Sequence, residues 1–190
     1  MRVVAGRFGG RRLKGPGRLD LRPTAELVRK ALFDILGTRV MHTRVLDLFA
    51  GTGSLGIEAL SRGASHATFV ERDRRTALLL RNNLALLDLA EPEFEIITAP
   101  AIQAVNTLGG ARRRFDLILA DPPYEAGLSQ VTMQALVAAG LLAPEGMIVW
   151  EHRSSENAGP IGGLDMTGRR VYGDTGLSFF VGGVKQKDVE

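Results

Sequence analysis

From residue 44 onward, short apolar runs alternate with longer stretches whose apolar residues recur every three or four positions. Val45–Phe49, Ala67–Val70, Phe94–Thr98, Phe115–Ala120 and Met147–Glu151 have the length and near-continuous apolar character of strands buried on both faces. Between them, Leu55–Arg62, Arg75–Leu87, Ala101–Leu108 and Leu128–Ala139 carry helical periodicity, and Gly63 closes the first of these. In the second, Leu78, Leu79, Leu80 and Leu84 are expected to face the core. Strand and helix repeated in this way predict an α/β fold with a doubly wound, mostly parallel, Rossmann-like sheet. Upstream, Thr24 reads as an N-cap. Leu27, Val28, Ala31, Leu32, Ile35 and Leu36 form the stripe of one more helix, ended by Gly37. Downstream of residue 151 the helical pattern stops. Arg169–Tyr172 and Leu177–Gly182, split by Gly173-Asp174-Thr175-Gly176, predict a terminal hairpin, with Lys185–Glu190 as a frayed tail.

The first 22 residues differ from the rest. Short apolar pieces sit between Gly9-Gly10 and Gly15-Pro16-Gly17, which predicts a small β-hairpin or extended arm. The expected organisation is therefore an arm over 1–22 and one domain over 23–184. Residues 1–30 hold nine basic and two acidic side chains, a local charge of +7, so the remainder carries −4 of the net +3. A basic arm on a mildly acidic body points to a polyanionic partner, nucleic acid before others, with a solvated basic surface as the plainer alternative. The chain has no cysteine, which removes disulfides, thiolate nucleophiles and cysteine-held metals and is compatible with a cytoplasmic location. No apolar run reaches the roughly 18 to 20 residues of a membrane helix. His42, His66 and His152 share no metal-ligand spacing, so no metal is expected.

Chemistry concentrates in two places. Val45-Leu46-Asp47-Leu48-Phe49-Ala50-Gly51-Thr52-Gly53-Ser54-Leu55-Gly56 runs from strand through glycine-rich turn into helix. Gly51 and Gly53 admit a ligand close to the backbone, and Gly56 admits tight helix–strand packing. Glu71, twenty positions after Gly51, can accept hydrogen bonds from ribose hydroxyls. The glycine spacing also fits a dinucleotide. Asp47 favours S-adenosylmethionine instead, because an anion there repels a pyrophosphate and attracts an α-ammonium. Phe49, Ala50, Gly51, Thr52 and Gly53 are expected to wrap this cofactor, with Arg72 beside Glu71 and Ala101 on its adenine side.

The second place is Asp121-Pro122-Pro123-Tyr124, directly after a strand. Two prolines fix the backbone and remove two N–H donors, leaving carbonyls to point rigidly into a pocket. Asp121 adds a carboxylate acceptor and Tyr124 a flat stacking surface. An exocyclic amino group of a base is a poor nucleophile. Acceptors on its N–H bonds orient it and stabilise the positive charge that grows as it attacks a methyl sulfonium. Asp121, Pro122 and Tyr124 are the expected catalytic set.

Together these residues resemble the class I S-adenosylmethionine-dependent methyltransferases, and the whole chain resembles the bacterial 16S ribosomal RNA guanine-N2 methyltransferases. The likeness is carried by Arg2–Arg7, Gly10–Leu13, Arg22-Pro23-Thr24, Val28–Phe33, Leu46–Gly53, Gly56–Ala64, Asp121–Tyr124 and Tyr172-Gly173. It implies a seven-stranded sheet with a reversed last hairpin, methylation of guanine N2, and the 16S RNA or the small-subunit particle as partner of a monomer. Arg22 and Thr24 would lie by the site's mouth, and Arg7, Arg11, Arg12, Lys14 and Arg29 would contact RNA. In one place the chain departs from the resemblance. Pro100 stands where the related enzymes often carry Asn or Asp for the adenine, so recognition there would rest on backbone groups near Ala101. Three alternatives stay open at this point. One is an adenine-N6 methyltransferase acting on RNA or DNA, which the same tetrapeptide serves. The others are an NAD-dependent oxidoreductase, for which no Tyr-x-x-x-Lys pair is present, and a non-catalytic RNA-binding factor.

Overall fold

The computed structural model describes residues 1–15, 23–123, 128–156 and 161–183. Its elements in chain order are α1 (Pro23–Leu36), a 3-10 turn (Gly37–Val40), β1 (Arg44–Asp47), α2 (Ser54–Ser61), β2 (His66–Glu71), α3 (Arg74–Leu86), β3 (Phe94–Thr98), α4 (Ala101–Gly110), β4 (Phe115–Ala120), α5 (Leu128–Ala138), β5 (Leu142–Arg153), β6 (Leu164–Tyr172) and β7 (Thr175–Gly182). The seven strands form one sheet in the order β3-β2-β1-β4-β5-β7-β6. The first five are parallel, and β7 runs antiparallel between β5 and β6. The doubly wound sheet and its reversed hairpin are thus as expected.

Alternation along each strand builds two cores. Val45, Leu117, Leu119 and Val149 face one side, packed under residues of α1, α2 and α3. Leu46, Ile118, Ala120, Ile148 and Trp150 face the other, against α4 and α5. Two helices sit rotated from the expected stripes. In α1, Val28, Leu32, Phe33 and Leu36 are buried and so is Arg29, while Leu27 and Ile35 are 59% and 43% exposed. In α3, Ala77, Leu80 and Leu84 share the inner face at 100° per residue, which turns Leu78 out to 60% exposure.

The described part of the arm, residues 1–15, folds back on itself. Val3 N–H donates to the Arg11 carbonyl, Leu13 N–H to Met1 and Gly10 N–H to Val3. Only one antiparallel bridge, Arg2 with Arg12, is formed. This part of the arm is seated in the body, with Val3 and Leu13 inside the first core. Buried Glu58 of α2 accepts the N–H groups of Val4 (2.7 Å) and Ala5 (3.0 Å). The Ser61 carbonyl accepts from Arg7 N–H at 2.8 Å. A side chain at Gly6, whose φ is +81°, would collide with that carbonyl. The fit needs glycine on both steric and conformational grounds.

Glu58 also accepts from Arg62 Nε at 2.8 Å, and Arg29 Nε lies 4.0 Å from its other oxygen. Burial lowers the pKa of Arg29, and the Glu58 charge opposes that shift. Removing one partner of a buried pair costs about 3–5 kcal/mol, because the other charge is left behind. Glu58→Ala is expected to lose stability on that scale in urea melts and to open the arm to proteolysis, with Glu58→Gln milder. A Glu58→Ala midpoint equal to wild type would show that the arm is anchored elsewhere.

Candidate active site

The strand order reverses between β1 and β4, which opens a crevice at the carboxyl ends of the parallel strands. Each of the four strands nearest that crevice carries an acid at or close to its carboxyl end. Asp47 closes β1 and Glu71 closes β2. Asp121 follows β4 directly, and Glu151 lies near the end of β5. Two cavities share the crevice, of about 1130 and 690 Å³, and both are lined by Ala25, Phe49 and Asp121. The larger runs past Glu71, Arg72 and Ala101 to Pro122 and Glu151. The smaller holds Asp47, Ala50, Gly51 and Thr52.

Asp47 is 1% exposed. Its Oδ2 accepts the Gly56 N–H at 2.9 Å, tying the strand end to the first turn of α2, while its Oδ1 is buried without a partner. Burial pushes its pKa up to about 7, against the Gly56 hydrogen bond and with help from Asp121 and Glu71. A buried, unpartnered acceptor beside the cavity suits an ammonium group and is a poor neighbour for a phosphate. Gly56 packs flat on the Phe69 ring, which a side chain would strike. Gly53, with φ at +91°, lines neither cavity. A Cβ there would strike Leu80 and Ile57, so glycine at this position is also required by packing.

Glu71 organises the same turn. Its carboxylate accepts from Gly51 N–H at 2.9 Å and from Asp73 N–H at 2.7 Å, and it keeps lone pairs toward the larger cavity. Across that cavity Pro100 begins α4 without a side-chain cap, so the first N–H groups of the helix, at Ala101 and Ile102, are left to a ligand. This fits adenine recognition by backbone in place of the usual polar side chain.

Asp121 stands where the two cavities meet. It is open to the crevice, yet the protein packed around it drives its pKa up to about 6. Pro122 is buried and Pro123 exposed on the same wall. Tyr124 and Arg22 lie outside the described residues, and for Thr24 only the backbone, in the first turn of α1, is described. On the arm, Arg7 pairs with Glu93 and stacks on Phe8, and Arg11 donates to the Leu86 carbonyl. The side chains of Arg12 and Lys14 are exposed. Arg29 does not fit an RNA contact. It is buried, with its guanidinium on the Arg2 carbonyl (2.8 Å) and beside Glu58, because the inner face of α1 includes its position.

The chain matches the family described as Conserved hypothetical protein 95 over residues 1–181. Bacillus subtilis YlbH is 35% identical over 181 residues, which cover 95% of this chain and 98% of that one. The Escherichia coli ribosomal RNA small subunit methyltransferase D is 36% identical over 151 residues, 80% of this chain and 74% of that one. The solved structure of Escherichia coli yhhF superposes with a TM-score of 0.86 at 30% identity, covering 97% of this chain and 99% of that one. The chain belongs to the small-subunit ribosomal RNA methyltransferase D family.

Two residues of this family member escaped the sequence reading. Glu151 had a visible signal, an acid closing an apolar strand just as Asp47 and Asp121 do. Asn83 had none. It is an amide in the middle of a helix, fully buried, that donates to the carbonyls of Lys14 (2.9 Å) and Thr52 (3.0 Å) and accepts from Lys14 N–H. It clips the arm to the glycine loop. Among the described residues no group of metal-binding side chains occurs and no helix is long and apolar enough to cross a membrane.

The raised pKa of Asp47 has a definite sign in stability. Its retained proton favours the fold fully below the ordinary aspartate value of 3.8, and that contribution is lost as pH rises through about 7. The melting temperature of Asp47→Asn is therefore expected to gain on wild type between pH 5 and pH 8. A constant difference across that range would mean that Asp47 is ionised throughout.

Proposed function

We propose that the protein transfers the methyl group of S-adenosylmethionine to the exocyclic N2 amino group of a guanine in 16S ribosomal RNA. The observation that carries this reading is the position of Asp121. It lies at the seam between a cavity with a buried acceptor for an ammonium group and a cavity walled by Pro122 and Pro123. The residues present fit the cofactor: Asp47 Oδ1 for the α-ammonium, Glu71 for the ribose, and the uncapped start of α4 for the adenine. When bound, S-adenosylmethionine supplies an electrophilic methyl group on a sulfonium.

The protein's own part is positioning and electrostatics. Asp121 accepts an N–H of the amino group and turns its lone pair toward the methyl. The Asp121 carboxylate would stabilise the positive charge that develops on nitrogen as it takes the methyl and S-adenosylhomocysteine leaves, and the extra proton on nitrogen would pass through the open crevice to solvent. The proline-fixed backbone keeps its carbonyls in place during the change, and Tyr124 stacks on the extruded base. A carboxylate at Asp47 disfavours the pyrophosphate of a nicotinamide cofactor.

The arm supplies the nucleic-acid contact. Arg7, Arg11, Arg12 and Lys14 meet phosphates, and Arg22 and Thr24 contact the same RNA. Since Val3 and Leu13 belong to the core, deleting the arm would damage the fold, and charge reversal is the cleaner probe. Arg12→Glu with Lys14→Glu is expected to lower RNA affinity steeply. Losing two phosphate contacts should flatten the slope of log affinity against log salt by about 1.5–2. An unchanged slope would remove these residues from the interface.

Asp121→Ala is expected to fold and to bind S-adenosylmethionine while single-turnover methylation of undermethylated small-subunit RNA or particles falls about 100-fold or more, the scale of one preorganised partner. Asp121→Asn should be milder, Tyr124→Phe tolerated, and Tyr124→Ala weaker in base capture. A near-normal rate for Asp121→Ala would make the motif structural. Nucleoside digestion of the product reads N2-methylguanosine directly.

A further inference from the structure

We infer that Glu151 reads the edge of the target base, accepting the N1–H of guanine beside the N2 amino group held at Asp121. The inference rests on the guanine reading above and names what selects that base. Leu119 pairs with Val149 and Ala120 with Trp150 in the parallel register, so Asp121 and Glu151 occupy the next rung. Leu119 and Val149 pack in one core, Ala120 and Trp150 in the other. The next pair, Asp121 and Glu151, therefore returns to the Asp47 side of the sheet. Adjacent strands lie about 4.8 Å apart. Two acids on strands at that spacing line the same cavity, and guanine carries its two donors, N1–H and N2–H, side by side on one edge. A base that presents N2 to Asp121 brings N1–H toward Glu151.

Glu151 is a costly residue unless something pairs with it. Among the described residues no N–H or O–H donates to its carboxylate. Burial, and after it the charge of Asp121, pushes its pKa up to about 8. Among the described residues the other charged groups facing this cavity are Glu71, Arg72, Arg153 and Asp174. His152 points the opposite way, where it hydrogen-bonds Ser178. A donor arriving at N1 compensates the half-buried carboxylate, whereas adenine offers a lone pair there. The Asp-Pro-Pro-Tyr motif does not distinguish guanine from adenine, and Glu151 supplies the distinction.

The test replaces the nucleotide that wild type methylates by 2-aminopurine, which keeps the N2 amino group but has a bare N1. The substituted small-subunit RNA is made by splinted ligation and offered free and assembled with ribosomal proteins. Wild type is expected to prefer guanine by at least about 100-fold in kcat/KM, since an unpaired buried acceptor rejects the analogue. Glu151→Gln, whose amide can donate to a bare N1, should bring the preference below about 10-fold, and Glu151→Ala should reduce it likewise. The wild-type preference should grow from pH 6 to pH 9 as the carboxylate forms, and the Gln variant should be flat. An unchanged preference in both variants, with cofactor affinity and guanine methylation retained, overturns the role of Glu151 alone. A wild-type preference that falls with rising pH would make Glu151 a proton donor and also overturn it. Absence of any methyl transfer to guanine by wild type overturns the guanine reading and this inference together.

Discussion

A parallel sheet wound outward from one central strand leaves a gap where the winding reverses, because the connections leaving the two central strands depart on opposite faces. Here that gap lies between β1 and β4, and everything functional is placed by it. Strand ends beside the gap are walled by protein yet open to a ligand, so side chains there lose water without all of their acceptors being met. The sequence puts acids in those positions. Asp47, Asp121 and Glu151 each hold a proton more tightly than a free carboxylate does, with desolvation as the leading cause in all three. Within the fold alone the crevice is thus electrostatically unfinished. Ammonium, amide-type N–H and ribose hydroxyl groups are the chemistry that would complete it, which the proposed cofactor and target base would bring.

The amino-terminal arm is held by the same kind of device with opposite outcome. Glu58 is as deeply buried as Asp47, but its oxygens are met by two backbone N–H groups and by Arg62. Its charge is satisfied inside the fold. Arg29 is drawn inward to the same cluster, and among the described residues of the arm Arg2, Arg12 and Lys14 present exposed cations, with Arg7 and Arg11 held against Glu93 and the Leu86 carbonyl.

Much of this was legible from the chain alone, because buried parallel strands and amphipathic helices write strong periodicities. The limits of β3 and β4 coincide with the apolar runs themselves. Local chemistry hid the rest. Residues 142–146 include Pro144 and Gly146, which read as turn residues, yet β5 begins at Leu142, and its register against β4 shifts between Phe115 and Leu117. β6 starts at Leu164, where polar residues and a second register shift before Gly168 masked it. Leu78 and Arg29 were misread because leucine counts as core and arginine as surface until the phase of the helix is known. Asp47, Glu71 and Asp121 were found through glycines and prolines nearby. Glu151 has no such neighbour, and only the pairing of β4 with β5 brings it beside Asp121.

Asn83 joins two regions with separate tasks. One amide group spans the Lys14 backbone of the arm and the Thr52 carbonyl of the glycine loop, so neither can shift without disturbing the other's hydrogen bond. In thermodynamic terms, any ligand that stabilises one conformation of the arm changes the free energy of the loop, and the exchange is reciprocal. A nucleic acid that bound the arm and shifted this contact would change the affinity of the loop for a small molecule by the same factor by which that molecule changes the affinity of the arm.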